Sequence, residues 1–300
     1  MTHSLSRLTR RIAATLFAAM ALLPLADATR AQGARPSSGA SSAASSLFVI
    51  GVLPNVSARV IAMHYQPMQD YFQRELEQKV EIATATDFRA FHENTMKGAY
   101  HAVVTAANLG RVSQVDGKWS PVAIYEPAIP GLLVTGAGNT EGSPAQLKGK
   151  ALAVANPQSL VVLRGLQWLG EQGLQAGRDF RLVRAGNEDS LAPLIRSGEA
   201  PMAMMSMGEF RSIGESLRKE LRIAAEFARV PGFLVLVNPS LPAAARDRVA
   251  GLMARFAASE EGKRFFALSG FSSIRALRPG ELEPLDAFVA QTRAGLAPQN

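Results

Sequence analysis

Short apolar runs alternate with helical patterns from residue 47 onwards, and this alternation predicts an α/β fold. The runs that are apolar, or alternate between apolar and polar, predict strands at 48–53, 80–82, 102–105, 122–125, 132–135, 151–155, 180–183, 202–206, 223–227 and 233–237. Apolar residues at helical spacing predict helices at 66–76, 88–96, 160–171, 190–196 and 210–217, and two more around 249–256 and 285–289.

Two turn-rich segments, 127–131 and 230–232, separate a middle block of elements from its flanks. The chain would therefore cross twice between two lobes, the first built from 47–130 and 231–300 and the second from 131–230. In open α/β sheets, ligands collect outside the carboxyl ends of the strands. Two lobes that face each other across such ends would form a cleft able to close on a small molecule.

The N-terminus has the order of a secretory signal: a basic leader, an apolar run and a small-residue site. The basic leader consists of Arg7, Arg10 and Arg11. Residues 12–25 carry no charge, and Ala26-Asp27-Ala28 supplies the small-x-small pattern. A membrane anchor would need about 20 apolar residues, more than this run provides. We predict a signal peptide over 1–28, cleaved after Ala28 or alternatively after Ala31, with Sec and Tat export both open.

Residues 29–46 are rich in Ser, Ala and Gly and predict a flexible tether. The chain contains no cysteine, so disulfides, thiolate chemistry, cysteine-based zinc sites and a lipid-bearing cysteine are all excluded. We therefore expect a freely diffusing periplasmic monomer and not a lipoprotein.

Composition and charge leave two interpretations open. With 47% apolar residues the chain has ample material for a core. Its formal charge of +7 comes from scattered Arg and Lys, without a basic block or an aromatic-interleaved RNA motif, so we expect no nucleic-acid partner. The positive balance is consistent with general surface charge or with a small anionic ligand.

No constellation of residues predicts a metal site, a cofactor or catalysis. The dense methionines are Met202, Met204, Met205 and Met207. They could suggest a soft metal, but their alternation on a predicted buried strand favours core packing. His64, His92 and His101 never take the i, i+4 spacing of helical metal pairs, and no G-x-S-x-G elbow occurs. We expect no catalytic residue, and His64 remains a weak cleft candidate.

Several segments carry a resemblance to a known family. They are GVLP at 51–54, YQPMQDYF at 65–72, VEIATATD at 80–87, LKGK followed by ALAVANPQS at 147–159, and FFALSGF at 265–271. Together they resemble the PhnD-like phosphonate/phosphate-type periplasmic substrate-binding proteins of ABC transporters. The resemblance implies a bilobed type II periplasmic binding fold, two crossing segments with the ligand cleft between the lobes, and a permease partner in the inner membrane.

In the first lobe the resemblance implies three ligand-binding candidates. Tyr65 matches a cleft-facing tyrosine, and Pro67 disfavours a continuous helix through Gln66, so Tyr65 could stand at a helix start. An ordinary packing role for Tyr65 stays open. Thr105 and Asn108 match a first-lobe contact, although either could simply cap the next helix.

In the second lobe the candidates depart from the family pattern. Asn156, Gln158 and Ser159 occupy a loop that is rich in Ser and Thr in phosphonate binders, and only Ser159 keeps a hydroxyl. Asn187 falls near a position where the family often has histidine, and Ser206 falls where an acidic residue is common. These departures suggest that the scaffold is kept while the ligand differs from a simple phosphonate.

The sequence therefore supports a solute-binding protein that captures a small anion or zwitterion for an ABC importer. The alternative is a periplasmic sensing module that presents its ligand to a receptor kinase. An exported enzyme is a third possibility, but no acid–base or nucleophile–base set supports it.

Overall fold

The structure, a computed structural model, describes residues 47–298. The predicted signal peptide and tether lie outside the described residues. Within them the strands are β1 (Phe48–Val52), β2 (Val80–Ala83), β3 (Ala102–Thr105), β4 (Ser120–Glu126), β5 (Ile129–Gly136), β6 (Ala151–Val154), β7 (Arg181–Arg184), β8 (Met202–Ser206), β9 (Leu221–Val230), β10 (Leu234–Val237) and β11 (Ser273–Arg275). The α-helices are α1 (Ala58–Leu76), α2 (Phe88–Met96), α3 (Ala107–Gly117), α4 (Leu160–Glu171), α5 (Leu191–Arg196), α6 (Met207–Ser212), α7 (Glu215–Arg218), α8 (Ala243–Ala258), α9 (Glu260–Ser269) and α10 (Asp286–Leu296).

The strands form two separate sheets. The first has six strands in the order β11-β4-β10-β3-β1-β2, and the second has five in the order β7-β6-β8-β5-β9. Strands β1, β2 and β3 pair in parallel, whereas β10 runs antiparallel to both β3 and β4. The chain passes from the first sheet to the second between β4 and β5 and returns between β9 and β10. The predicted α/β architecture with two crossings is confirmed.

Each sheet is covered on both faces, as its strands of continuous apolar residues require. On one face of the first sheet, apolar residues of α1, α8 and α9 pack together, among them Phe72, Phe256 and Phe265. The other face is covered by α2, α3 and α10. In the second sheet, the methionines of β8 pack on both faces, Met205 in one core and Met202 with Met204 in the other.

The expected helix start near Tyr65 is wrong. Helix α1 begins at Ala58 and contains Pro67, so Tyr65 lies well inside the helix. Proline lacks an N–H and costs the helix one backbone hydrogen bond. Pro67 is buried, and Met68 and Phe72 behind it are fully buried, so packing against the first sheet holds the helix together across the interruption.

The single helix predicted over 210–217 is also wrong. The segment forms two short helices, α6 and α7, because Ile213 adopts an extended backbone with ψ of 133°. Ile213 is 1% exposed, and the N–H of Gly214 donates to Oδ1 of Asp189 at 2.8 Å. Burial of Ile213 and this hydrogen bond override the helical spacing.

The two segments predicted as turns are partly strand. Ile129 pairs with Val230 and Gly131 pairs with Ala228, so β5 and β9 extend almost to the points where the chain crosses. Gly131 permits this close pairing, because a Cβ there would lie 2.7 Å from the ring of Phe227. The connections between the sheets are therefore short, 127–128 and 231–233.

Candidate functional site

A cavity of about 300 Å³ lies between the two sheets, beside both crossing segments. The first lobe contributes residues of α1, Phe233 and the segment after α9. The second lobe contributes the start of α6 and the end of β9, and Pro127 and Ala128 belong to the first crossing itself. A cavity with walls from both lobes is where hinge closure would enclose a ligand.

Apolar and aromatic side chains form much of the cavity wall, including Ile61, Tyr65, Phe233 and Phe271. Tyr65 is 6% exposed, and its ring meets the ring of Phe265 edge-on with centroids 5.2 Å apart. Its hydroxyl lies beside that of Tyr125, and burial raises the pKa of both phenols. Tyr65 is therefore neutral at physiological pH and offers the cavity an aromatic surface.

Three basic side chains also line the cavity: Arg211, Arg229 and His64. Nε of Arg229 lies 2.7 Å from Oε1 of Glu226, so these two charges offset each other. Burial lowers the pKa of His64, which leaves this imidazole neutral at pH 7. Among residues 47–298, no carboxylate lies within ion-pair distance of the Arg211 guanidinium, so Arg211 supplies the uncompensated charge of the wall.

Arg211 also reaches from one lobe to the other. It belongs to α6 of the second lobe, yet its Nη1 would contact a Cβ placed on Gly270 at 2.7 Å. Gly270 is the C-cap of α9 in the first lobe, at the partially negative end of that helix. The guanidinium therefore lies where the rim of the cavity joins the two lobes.

Two hydrogen bonds connect the lobes next to this cavity, and we call them the interlobe clasp. Ser57 N, at the N-cap of α1, donates to Oε1 of Glu188 at 3.1 Å. Nδ2 of Asn156 donates to the carbonyl oxygen of Asn55 at 3.3 Å. Glu188 is 2% exposed, so its carboxylate is enclosed by this arrangement of the lobes.

A second buried carboxylate, Glu209, closes the N-terminus of α6. Its Oε2 accepts from Ser206 N at 2.7 Å, while Ser206 Oγ accepts from Glu209 N at 3.1 Å. Its Oε1 accepts from Nδ2 of Asn156 at 2.9 Å. Burial raises the pKa of Glu209, and the hydrogen bonds from Ser206 and Asn156 oppose that rise.

Five of the eight residues predicted as ligand contacts lie along the groove between the lobes. Tyr65 and Ser206 line the cavity of about 300 Å³. Asn156 and Ser159 line a neighbouring cavity of about 30 Å³, which Ser206 also borders. Asn187 lies in a polar recess of about 450 Å³ on the far side of the clasp, where its Oδ1 accepts from Ser190 N at 3.0 Å. Ligand contact by these side chains stays a prediction.

Three of the predicted contacts do not line the cavity of about 300 Å³: Thr105, Asn108 and Gln158. Nδ2 of Asn108 donates to the carbonyl oxygen of Gln158 at 3.0 Å and to Oγ1 of Thr292 at 3.1 Å. Nε2 of Gln158 donates to the carbonyl oxygen of Gly295 at 3.3 Å. Asn108 and Gln158 therefore join the second lobe to α10, and Thr105 is buried at the end of β3.

Sequence reasoning missed the groups that give the site its charge, Glu188, Glu209 and Arg211. Only Glu209 had a readable signal, since Ser206 followed three residues later by Glu is the pattern of a capping box. Glu188 and Arg211 contact residues of the other lobe, and no local sequence pattern predicts such contacts.

A family model described as "ABC transporter, phosphonate, periplasmic substrate-binding protein" matches residues 50–281. The chain belongs to this family. Proteins of this family are periplasmic and serve ABC transporters, so the importer hypothesis is confirmed and the sensor alternative is not favoured.

Several solved structures of binding proteins have a fold similar to that of this chain. A binding protein of an ABC phosphonate transporter from Pseudomonas aeruginosa has a TM-score of 0.72 at 12% identity, covering 84% of this chain and 89% of its own. A PhnD protein from Prochlorococcus marinus in complex with methylphosphonate gives 0.69 at 10% identity, with coverages of 82% and 98%. The aliphatic sulphonate-binding protein SsuA from Escherichia coli gives 0.58 at 14% identity, with coverages of 83% and 93%. These similarities establish the type II periplasmic binding fold.

Two features are absent from the described residues. From residue 47 to residue 298, none of the helices has the length and apolarity needed to cross a membrane. Over the same residues, no three His, Asp or Glu side chains come together in a way that could hold a metal ion.

Proposed function

We propose that this protein captures a small anionic or zwitterionic solute in the interlobe cavity and delivers it to the permease of an ABC importer in the inner membrane. The observation that carries the proposal is the cavity itself, which both lobes line beside both crossing segments and where Arg211 has no carboxylate partner among the described residues. A guanidinium without a counter-ion at such a rim favours a negatively charged ligand.

Capture would proceed by hinge closure. The lobes 47–130 with 231–300, and 131–230, would rotate about the two short connections. The clasp and the approach of Arg211 to Gly270 join the lobes in this structure, and opening of the cleft would break these contacts. A ligand that contacts both walls favours that closed arrangement by the difference between its affinities for the closed and open forms.

The ligands of the structural relatives support an anion. One relative holds methylphosphonate and another is described as binding aliphatic sulphonates, both organic molecules with a tetrahedral anionic head. The cavity of this chain offers one unpaired cation and a partly aromatic wall for the same general chemistry.

We further propose that residues 1–28 act as a cleaved signal peptide, and that the mature protein is a monomer without a lipid anchor and without catalytic activity. The order of basic, apolar and small residues supports export. The absence of cysteine from the chain supports a protein that is not lipidated.

Thermal unfolding of the purified protein tests the ligand class. Phosphonates, sulfonates, carboxylates and inorganic phosphate are compared with neutral sugars of similar size. A ligand present at 100 times its dissociation constant adds about 2.7 kcal/mol to the free energy of unfolding, a readily measured rise in melting temperature. Stabilisation by one or more of the anions supports the proposal, and stabilisation by sugars alone contradicts it.

A further inference from the structure

At two helices that face the cleft, a side-chain carboxylate accepts a hydrogen bond from the N-cap amide. At α1, the N-cap amide of Ser57 donates to the buried carboxylate of Glu188. At α6, the N-cap amide of Ser206 donates to the buried carboxylate of Glu209. Helix N-termini attract anions, and at these two N-cap amides a carboxylate of the protein already accepts the hydrogen bond.

The N-terminus of α4 is closed off by packing. Ser159 caps it by accepting from Val162 N at 3.2 Å. Leu160 and Val161 are 3% and 4% exposed. They join an apolar cluster with Phe288 and Leu296 of α10 and with Leu285, which directly precedes that helix. A hydrated oxyanion therefore finds no open amide cradle at this helix.

The cavity beside the crossing segments is mainly apolar, and its wall carries one charge without a carboxylate partner among the described residues. Ile61, Tyr65, Phe233 and Phe271 line the cavity of about 300 Å³, a volume that exceeds what a bare phosphate or methylphosphonate needs. Arg229 forms an ion pair with Glu226, and Arg211 is the arginine of the cavity wall that has no carboxylate partner among the described residues.

We propose that the ligand is an organic acid with a single negative charge and an apolar body, its head group on Arg211 and its body against Tyr65, Phe233 and Phe271. This inference rests on the proposed capture function and narrows it. A dianion would leave one of its charges without a cationic partner, beside the carboxylate of Glu226 that lines the same cavity. An anion without an apolar body would leave the aromatic wall unfilled.

Isothermal titration calorimetry with the purified protein and three probes tests the inference. Naphthalene-2-sulfonate has both features, methanesulfonate has only the head group, and 2-naphthol has only the body. Burial of the aromatic body predicts that naphthalene-2-sulfonate binds on the order of 100-fold more tightly than methanesulfonate. Naphthalene-2-sulfonate should also bind more tightly than 2-naphthol, because 2-naphthol has no sulfonate to pair with Arg211.

Substitutions locate the head group. Arg211→Gln should weaken binding of naphthalene-2-sulfonate about tenfold or more and leave binding of 2-naphthol unchanged, since only the charged contact is lost. Arg211→Lys keeps the charge and should recover part of the affinity, which separates loss of charge from a folding defect. Arg181→Gln, at an exposed position of β7 away from the cavity, is the matched control and should bind all three probes like the parent.

The outcomes separate this inference from the function on which it rests. Tightest binding by methanesulfonate or methylphosphonate would overturn the inference and leave anion capture intact. Equal binding of 2-naphthol and naphthalene-2-sulfonate, or no effect of Arg211→Gln, would also overturn it. If neither these probes nor any anion of the thermal-unfolding panel binds, both proposals fail.

Discussion

Replacement of Glu188 by alanine should weaken ligand binding without unfolding either lobe. Glu188 lies in the second lobe, and its Oε1 accepts from Ser57 N of the first lobe at 3.1 Å. Both groups are hydrated when the cleft is open, so the hydrogen bond stabilises only the closed arrangement. Glu188→Ala leaves the Ser57 amide without an acceptor at the moment of closure.

The size of the effect follows from that unsatisfied amide. The Ser57 amide is only partly buried, so loss of this hydrogen bond costs about 0.5–1.5 kcal/mol, and each 1.4 kcal/mol is about a factor of ten in a binding constant. The affinity of Glu188→Ala should therefore fall between about 2-fold and 10-fold. Glu188→Gln keeps a side-chain oxygen at the same place and should lose much less.

Calorimetric titration of the parent and these variants, with the best ligand of the thermal-unfolding panel, measures the loss. Glu199→Ala removes an exposed carboxylate elsewhere in the second lobe and serves as the control. Denaturation with urea checks that each variant stays folded. If Glu188→Ala bound as tightly as the parent, or if Glu188→Gln lost as much as Glu188→Ala, the clasp would not contribute to closure.

Three other perturbations have defined outcomes. Burial raises the pKa of Glu209 above its ordinary 4.5, so ionisation of this carboxyl opposes folding. In urea titrations, the free energy of unfolding of the parent relative to Glu209→Gln should therefore fall as pH rises above 4.5. A difference between the two proteins that stays constant with pH would contradict this explanation. Arg275 holds the pKa of Glu281 at about 2, so the cost of Arg275→Gln should shrink as pH falls from 4.5 towards 2. At neutral pH that cost is about 1 kcal/mol, because the pair is partly exposed, and a cost independent of pH would refute the ion-pair explanation. A Cβ on Gly232 would overlap the carbonyl oxygen of Tyr125, so Gly232→Ala should cost about 3 kcal/mol in chemical denaturation. Gly170→Ala in α4, with no atom within 4 Å of its Cβ, should instead stabilise by about 0.5–1 kcal/mol, and equal effects at the two positions would contradict the steric argument.

The sequence allowed the positions of β1 to β10 along the chain and the helix α4 to be predicted, because these depend on local apolar patterns, whereas β11 was not predicted. Leu160–Glu171 has an N-cap serine before it and a continuous buried face, and its bounds agree with the prediction. The prediction failed where tertiary packing outweighs local preference. Pro67 remains inside α1, and Ile213 leaves the helix to become buried.

The candidate site was less predictable than the fold, because its contacts connect residues distant in the chain. Asn156 was selected from a loop motif, but its partners Asn55 and Glu209 come from two other segments. Arg211 looks like any other surface arginine in the sequence, and only the approach of α6 to the end of α9 makes it part of a cavity wall.

The distance between the lobes with and without ligand tests the account most directly. The chain contains no cysteine, so Thr86→Cys and Arg184→Cys, on opposite sides of the polar recess, can carry two spin labels without background. Pulsed electron–electron double resonance should show a broad or longer distance distribution in the free protein and a shorter, narrower one with an organic anion bound. A distribution that saturating ligand leaves unchanged would contradict capture by closure of the lobes.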